Sequence, residues 1–205
     1  MVRKPLGHDV TPLGKVHLAP RLLPPRIEDI EQRFKEIDLN KSKEVNSDLL
    51  AFYHADTLKE IITLKEYFLK REQQGKLDNI DAWIRMVAIS RLTGHSPGFF
   101  SVYTLPPNQA VSAERQKIIN EQRNQTPEYQ PITQRIHKKS KSLLKDWNGK
   151  HLSSFEYDLT SVLSTSDARK VKGIADNSAQ LVVTSPPFLD VVDYQGDNWL
   201  RCWFI

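Results

Sequence analysis

A short apolar run ended by two adjacent prolines most constrains the fold of this 205-residue chain: Leu181, Val182 and Val183, then Thr184, then Ser185-Pro186-Pro187-Phe188. The apolar run has the length and composition of a buried strand. The prolines end that strand because neither can donate a ladder hydrogen bond and each fixes its own φ. Ser185 is driven toward an extended conformation by the proline after it. The sequence therefore predicts a rigid strand exit that carries a hydroxyl, free carbonyls and an aromatic ring.

This corner has two interpretations. It could hold a flat heterocycle, with Phe188 as a stacking face and with Ser185 and the Pro186 carbonyl as acceptors for an amino group. It could equally be a plain strand end whose phenylalanine belongs to the core. The eight residues alone favour neither interpretation.

The flanking residues carry three further short motifs. They are Ser166-Asp167-Ala168-Arg169, Ile174-Ala175-Asp176-Asn177-Ser178 and Asp190-Val191-Val192-Asp193-Tyr194. With the Ser-Pro-Pro-Phe corner they resemble the amino-methyltransferases of DNA, specifically the cytosine-N4 branch, over the last fifth of the chain. The adenine-N6 branch more often has Asp where this chain has Ser185. A looser resemblance covers Trp83-Ile84-Arg85-Met86-Val87 and residues 91–103.

The resemblance implies a fold, a reaction and a set of residues. The implied fold is α/β: a helical N-terminal region followed by the start of a Rossmann-like parallel sheet of a methyltransferase that uses S-adenosylmethionine. The implied reaction transfers a methyl group to N4 of cytosine in DNA, as part of a restriction–modification system. Ser185, Pro186, Pro187 and Phe188 match the catalytic positions, and Asp167 and Thr184 match cofactor-binding positions.

The chemistry of the reaction explains why such residues are suitable. The cytosine amine is a poor nucleophile because its lone pair is delocalised into the ring, so hydrogen-bond acceptors on the NH₂ group would help to localise it. Ser185 and the Pro186 carbonyl supply acceptors, and Phe188 would stack on the base. The base must first leave the duplex at a cost of a few kcal/mol, and one aromatic stack returns about 1–3 kcal/mol. No covalent nucleophile is needed, so Cys202 has no required role.

One element of the family is missing. These enzymes hold their cofactor partly with a turn of the form Phe-x-Gly-x-Gly, and no two glycines of this chain are separated by one residue. Close backbone approach to the cofactor is therefore not provided. We expect an incomplete methyltransferase that is inactive alone, with the missing part before Met1, after Ile205 or on a complementing chain.

Composition sets broad limits. The chain is 39% hydrophobic and 26% charged, which is typical of a soluble globular protein. It has no run of about 18 apolar residues, so we expect no membrane span. Its single cysteine excludes an intrachain disulfide and a thiolate metal cluster, and we expect no metal and a cytoplasmic location.

Charge is unevenly distributed. Residues 115–150 contain nine Lys/Arg against three Asp/Glu, a local +6 in a chain of net +4. This run predicts DNA contacts through Arg135, Lys138, Lys139, Lys141 and Lys145, and about four phosphate contacts would give a log–log salt slope near −3.6. A merely solvated helix face is the alternative interpretation.

The pattern predicts three regions: an extended lead-in over residues 1–26, a helical and partly basic region over 27–150, and a partial catalytic domain over 151–205. Within the last region, residues 155–205 are expected to hold the only parallel strands. Helices are expected over 27–37, after a Thr57–Glu60 capping box, from Asp78, after Ser112 and over 132–147. Trp83 and the Phe99-Phe100 pair are expected in the core. The last region reads as a strand over 157–163, a helix over 168–174 and a strand over 181–184.

Three alternatives remain open from the sequence. One is adenine-N6 specificity, against which Ser185 argues. Another is a catalytically inert, basic, helical nucleic-acid-binding module. The third is a protein or RNA amino-methyltransferase, in which Asn would be more usual than Ser185.

Overall fold

The computed structural model describes residues 6–39, 47–104, 111–147, 163–171, 174–185 and 194–205, which form a mostly helical α/β structure with a small parallel sheet. The elements in chain order are β1 (Gly7–Asp9), α1 (Pro12–Leu22), α2 (Ile27–Glu36), a 3-10 turn (Ser47–Ala51), α3 (Ala55–Gln73), α4 (Asn79–Ile89), α5 (Ala113–Gln122), α6 (Ile132–Leu144), β2 (Leu163–Thr165), a second 3-10 turn (Ala168–Lys170), α7 (Tyr194–Asp197) and α8 (Trp199–Phe204).

Helices α3 and α4 form the centre of the helical part. Asp78 caps α4 through a capping box with Asp81, which confirms the predicted start of this helix. The apolar stripes of the two helices are buried; they comprise Leu58, Ile61, Leu64 and Phe68 on α3, and Trp83, Ile84, Val87 and Ala88 on α4. Each such side chain stabilises the fold by roughly 1.5–3 kcal/mol when fully covered.

Helices α2 and α6 pack on α4 and close this core. Ile132 and Ile136 of α6 are fully buried, as is Ile30 of α2. The indole of Trp83 donates a hydrogen bond to Ser140 Oγ at 3.0 Å, so α4 and α6 are joined by a polar contact inside the core. The predicted core position of Trp83 is confirmed, as is the N-cap of α5 by Ser112.

Helix α8 also belongs to the core. Leu200 and Phe204 are buried, and the Phe204 ring lies 6.3 Å from that of Phe68. Trp199 packs edge-on against Phe52 at 6.0 Å. The sequence alone shows no partner for the apolar run at residues 199–205, and the structure supplies one: α8 packs against Phe68 of α3 and against Phe52, which follows the first 3-10 turn.

The sheet joins the two ends of the described chain. Strand β1 pairs in parallel with β2, with Gly7 opposite Leu163, and His8 Nδ1 lies 2.8 Å from Ser164 Oγ. Helix α1 contacts both strands and packs on α4. The prediction that residues 155–205 hold the only parallel strands is wrong, since β1 supplies one of the two.

The extended lead-in predicted over residues 1–26 also differs from the structure, which has β1 and α1 there. Pro12 stands at the start of α1, where its fixed φ suits a helix and its missing N–H costs nothing. Leu13 and Pro20 are buried. Pro12 therefore begins the helix, Pro20 lies inside it, and Pro24 and Pro25 follow its end.

The strand predicted over residues 181–184 is absent, and residues 181–185 form no regular element. Leu181, Val182 and Val183 are 67%, 77% and 86% exposed. An apolar run becomes a strand only where a neighbouring strand accepts its hydrogen bonds, and no described strand lies beside it. The predicted helix over 168–174 is likewise reduced to the turn Ala168–Lys170 within its described residues, and the strand expected over 157–163 lies outside them except for Leu163.

Candidate functional site

The predicted catalytic corner is described only up to Ser185. Ser185 and Thr184 are exposed, and Pro186, Pro187 and Phe188 lie outside the described residues. Upstream, Ser178 N and Oγ both donate to the Ala175 carbonyl, and Asn177 adopts a left-handed φ of 59°. A turn is thus present at Asp176-Asn177, and the exposed residues after it lead to Ser185.

Asp167 follows the carboxyl end of β2 and caps the turn Ala168–Lys170. Its Oδ1 accepts a hydrogen bond from Arg169 N at 2.9 Å, and the Arg169 guanidinium binds both carboxylate oxygens. These bonds from Arg169, first from its side chain and then from its backbone, lower the pKa of the Asp167 carboxyl. The carboxylate is therefore exposed but already engaged, and the described contacts make Asp167 the N-cap of the turn Ala168–Lys170.

The carboxyl ends of both strands meet at the same edge. Asp9 ends β1 and accepts a hydrogen bond from Thr11 N at 3.0 Å, and its carbonyl accepts one from Ser166 N at 3.1 Å. Parallel α/β sheets bind ligands at this edge. Asp167 stands there, as the sequence predicts, beside an aspartate that sequence reasoning did not select.

The predicted DNA-binding residues lie on α6 and just beyond it, but they do not form one equivalent set. Lys138, Lys141 and Lys145 are exposed on the face opposite the buried Ile132, Ile136 and Ser140. None of these three lysines takes part in an ion pair among the described residues. We call them the α6 lysine stripe.

Arg135 and Lys139 differ from the stripe. Arg135 is half-buried, and its guanidinium donates to Gln130 Oε1. Burial lowers the pKa of Arg135. Lys139 lies on the flank of the helix and is partly covered. The structure therefore brings three of the five predicted cations together on one free face.

The opposite end of α6 is acidic, which the sequence did not indicate. Glu60 Oε2 accepts a hydrogen bond from Ile132 N at 2.9 Å, and Glu60 Oε1 accepts one from Tyr129 Oη at 2.5 Å. The Thr57 hydroxyl both donates to and accepts from the backbone of Gln130. The Thr57–Glu60 pattern is thus not the capping box of α3, which begins after His54; it holds the start of α6.

A network of side-chain amides, also missed from the sequence, fixes the loop before α5. Gln116 and Gln125 both donate to the Tyr103 carbonyl, at 3.0 and 3.1 Å, and to Asn120 Oδ1. Asn120 donates in turn to the Ala51 carbonyl at 2.7 Å. The spacing of Gln116 and Asn120, four residues apart on one helix, was the available signal.

Phe99 and Phe100 in this loop are 8% and 1% exposed, so their predicted core position is confirmed. The Phe99 ring also occupies the space where a side chain at Gly94 would stand. These two rings are therefore not available for stacking on a nucleic-acid base.

The described residues contain no group of three or more His, Cys, Asp or Glu placed to hold a metal ion, and no helix among them is long and apolar enough to cross a membrane. Comparison of the chain with protein families, with curated proteins and with solved structures finds no match. The methyltransferase resemblance therefore remains a prediction from the motifs.

Proposed function

We propose that this chain is part of a DNA amino-methyltransferase of the cytosine-N4 type, within a restriction–modification system. The observation that carries the proposal is the order of motifs around the Ser-Pro-Pro-Phe corner: Ser166-Asp167 after a parallel strand, a turn at Asp176-Asn177, and an exposed approach to Ser185. The Ser185 hydroxyl would accept a hydrogen bond from the target amine. Pro186 would add its carbonyl, Pro187 would hold the corner, and Phe188 would stack on the base.

The described residues do not form a complete S-adenosylmethionine site. The Asp167 carboxylate is engaged by Arg169, Thr184 stands exposed, and the chain lacks the paired glycines that would admit a cofactor closely. Activity would therefore need a further part that carries the Gly-rich turn, located before Met1, after Ile205 or on a complementing chain. Asp167 and Thr184 are proposed to approach the cofactor only in that assembly.

The α6 lysine stripe favours a second candidate, a nucleic-acid-binding module without catalysis of its own. Three unpaired lysines on one exposed helical face are suited to phosphates. In this candidate residues 163–185 would have no catalytic role. Adenine-N6 specificity remains a further alternative within the first candidate.

The test measures tritium transfer from S-adenosylmethionine to duplex DNA. We expect no transfer by the chain alone, and transfer to cytosine N4 after co-expression with a methyltransferase segment that carries a strand and the Phe-x-Gly-x-Gly turn. Tritium in the DNA after incubation with the chain alone would contradict the requirement for a second part.

Ser185→Ala provides the residue-level control in the reconstituted enzyme. Loss of one acceptor should lower the single-turnover methylation rate and leave DNA affinity nearly unchanged, because that contact strengthens as the nitrogen rehybridises. Phe188→Ala should instead weaken capture of the flipped base by about 1–3 kcal/mol. Equal methylation rates for Ser185→Ala and the parent enzyme would show that the Ser-Pro-Pro-Phe corner has a structural role and that Ser185 is not catalytic.

A further inference from the structure

We infer that the α6 lysine stripe, Lys138, Lys141 and Lys145, is a contact surface for the phosphates of double-stranded DNA, and that the duplex lies over the C-terminal half of α6 only. The inference rests on the proposed function for the choice of DNA as the polyanion. It selects three of the five predicted DNA-binding cations, and it states which half of α6 the duplex covers.

The spacing of the stripe is suited to a phosphate backbone. The three lysines are separated by three and four residues, so they follow one line along the helix. From Lys138 to Lys145 the helical rise is about 10 Å, close to the axial rise of three nucleotides at about 3.4 Å each. None of the three takes part in an ion pair with an acid of the described residues; unpaired lysines such as Lys15 and Lys70 also occur elsewhere on the surface, and what distinguishes the stripe is that its three lysines share one line on one helix.

Electrostatics orient the duplex. At the start of α6 stands the Glu60 carboxylate, which accepts hydrogen bonds from Ile132 N and Tyr129 Oη and takes part in no ion pair with a described cation. At the middle and end of the helix stand the lysines. A polyanion is repelled from the first end and attracted to the second, so contacts should concentrate from Lys138 onward.

The surroundings favour a duplex over a single strand or a membrane. Single-strand binding relies on aromatic side chains that stack on bases; the stripe carries none, and Trp147, just beyond Lys145, is partly buried. Tyr129, an exposed aromatic near α6, lies at the acidic end and donates to Glu60. A membrane-surface helix needs a free apolar face, whereas Ile132 and Ile136 of α6 are fully buried in the protein.

The experiment measures binding of the 205-residue chain to a fluorescent duplex of arbitrary sequence at several salt concentrations. Three phosphate contacts predict a log–log slope of about −2.7, equivalent to about a 40-fold loss of affinity over a fourfold rise in salt. The variant Lys138→Gln/Lys141→Gln/Lys145→Gln should lose nearly all of this slope. The matched control Lys15→Gln/Lys70→Gln/Lys76→Gln removes three exposed lysines on other parts of the surface and should keep it.

A pair of charge additions tests the orientation. Ser142 and Gln134 are both exposed on the outer face of α6, one in each half. Ser142→Lys should steepen the slope by about 0.9, and Gln134→Lys should change it little. Equal effects of the two additions would overturn the orientation.

Three results would overturn the surface itself: equal slopes for the stripe variant and its control, tighter binding of the single strand than of the duplex, or binding to vesicles of phosphatidylserine and phosphatidylcholine without binding to the duplex. Each of these readouts is independent of methyl transfer. Failure of this inference is therefore distinguishable from failure of the proposed activity.

Discussion

At the scale of single residues, the strongest electrostatic feature is the carboxylate of Asp81, which is 0% exposed. Arg33 and Arg71 both bind it, and Tyr67 donates to it at 3.2 Å. Asp78 beside it also binds Arg33, at 2.7 Å. These contacts join α2, α3 and the start of α4 around one buried charge, which is stable only because it is paired and fully hydrogen-bonded.

Asp81→Asn should destabilise the protein by about 1–3 kcal/mol, because it removes the buried carboxylate that both guanidinium groups bind and leaves them the more exposed Asp78 as their shared anionic partner. Urea denaturation followed by circular dichroism measures the change. The control is Asp29→Asn, which breaks the surface pair with Arg26, whose side chain is 77% exposed. Denaturation midpoints that shift equally for the two variants would show that the buried cluster contributes no more than a surface pair.

The sequence predicted Asp78 as the start of α4 but not the cluster around it, for a physical reason. The capping pattern is local, since Asp78 and Asp81 are three residues apart. Arg33 lies 45 residues before Asp78, and its approach depends on how α2 packs on α4. Local patterns therefore indicated the cap, and only tertiary packing determined its partners.

At the scale of secondary-structure elements, the start of α6 shows how one sequence pattern can serve a different helix. Thr57 and Glu60 are correctly spaced for a capping box on α3, yet His54 caps α3, and both residues bind the segment that leads into α6. The carboxylate of Glu60 there is favourably placed for the positive end of the α6 dipole. The Thr57–Glu60 spacing correctly indicated residues that hold the start of a helix, but that helix begins at Ile132, 72 residues after Glu60.

A titration tests this contact. The hydrogen bond to Glu60 is the main cause that raises the pKa of Tyr129 to about 12. Because the folded pKa is raised, the stabilisation from this contact is complete below the ordinary tyrosine pKa of about 10, and it is lost as the pH rises through about 12.

Glu60→Gln should return the Tyr129 pKa toward its ordinary value. The measurement is the ultraviolet absorbance of phenolate during alkaline titration, with Tyr129→Phe subtracted to isolate one residue among six tyrosines. An unchanged Tyr129 transition in Glu60→Gln would contradict the contact.

At the scale of the whole molecule, α8 completes the helical core from the far end of the chain. Phe204 is 1% exposed against Phe68, while its neighbour Cys202 is exposed. Phe204→Ala should cost about 3–5 kcal/mol of unfolding free energy, because it removes a large buried ring and leaves a cavity.

Cys202→Ala is the matched control on the same helix and should leave the unfolding free energy nearly unchanged. Thermal and urea denaturation measure both variants. Similar stability of Phe204→Ala and Cys202→Ala would show that α8 is not part of the cooperative unit.

Elements whose signals lie close together in the sequence could be predicted, whereas elements that depend on contacts between distant residues could not. Helices with clear apolar stripes and local caps, such as α4 and α5, were predicted because their signals lie within a few residues. Helix α1 was missed because its prolines resemble loop residues until packing on α4 is known. For the candidate site, Asp167 was placed correctly after a strand, whereas the engagement of its carboxylate by Arg169 was not foreseen.

The burial of α8 has a consequence for synthesis of the protein on the ribosome. Domains generally form from the N-terminus as the chain emerges. Phe52 and Phe68, however, contact Trp199 and Phe204, which are translated more than a hundred residues later. Throughout that interval the nascent core presents an uncovered aromatic face, which is covered only after α8 has been translated.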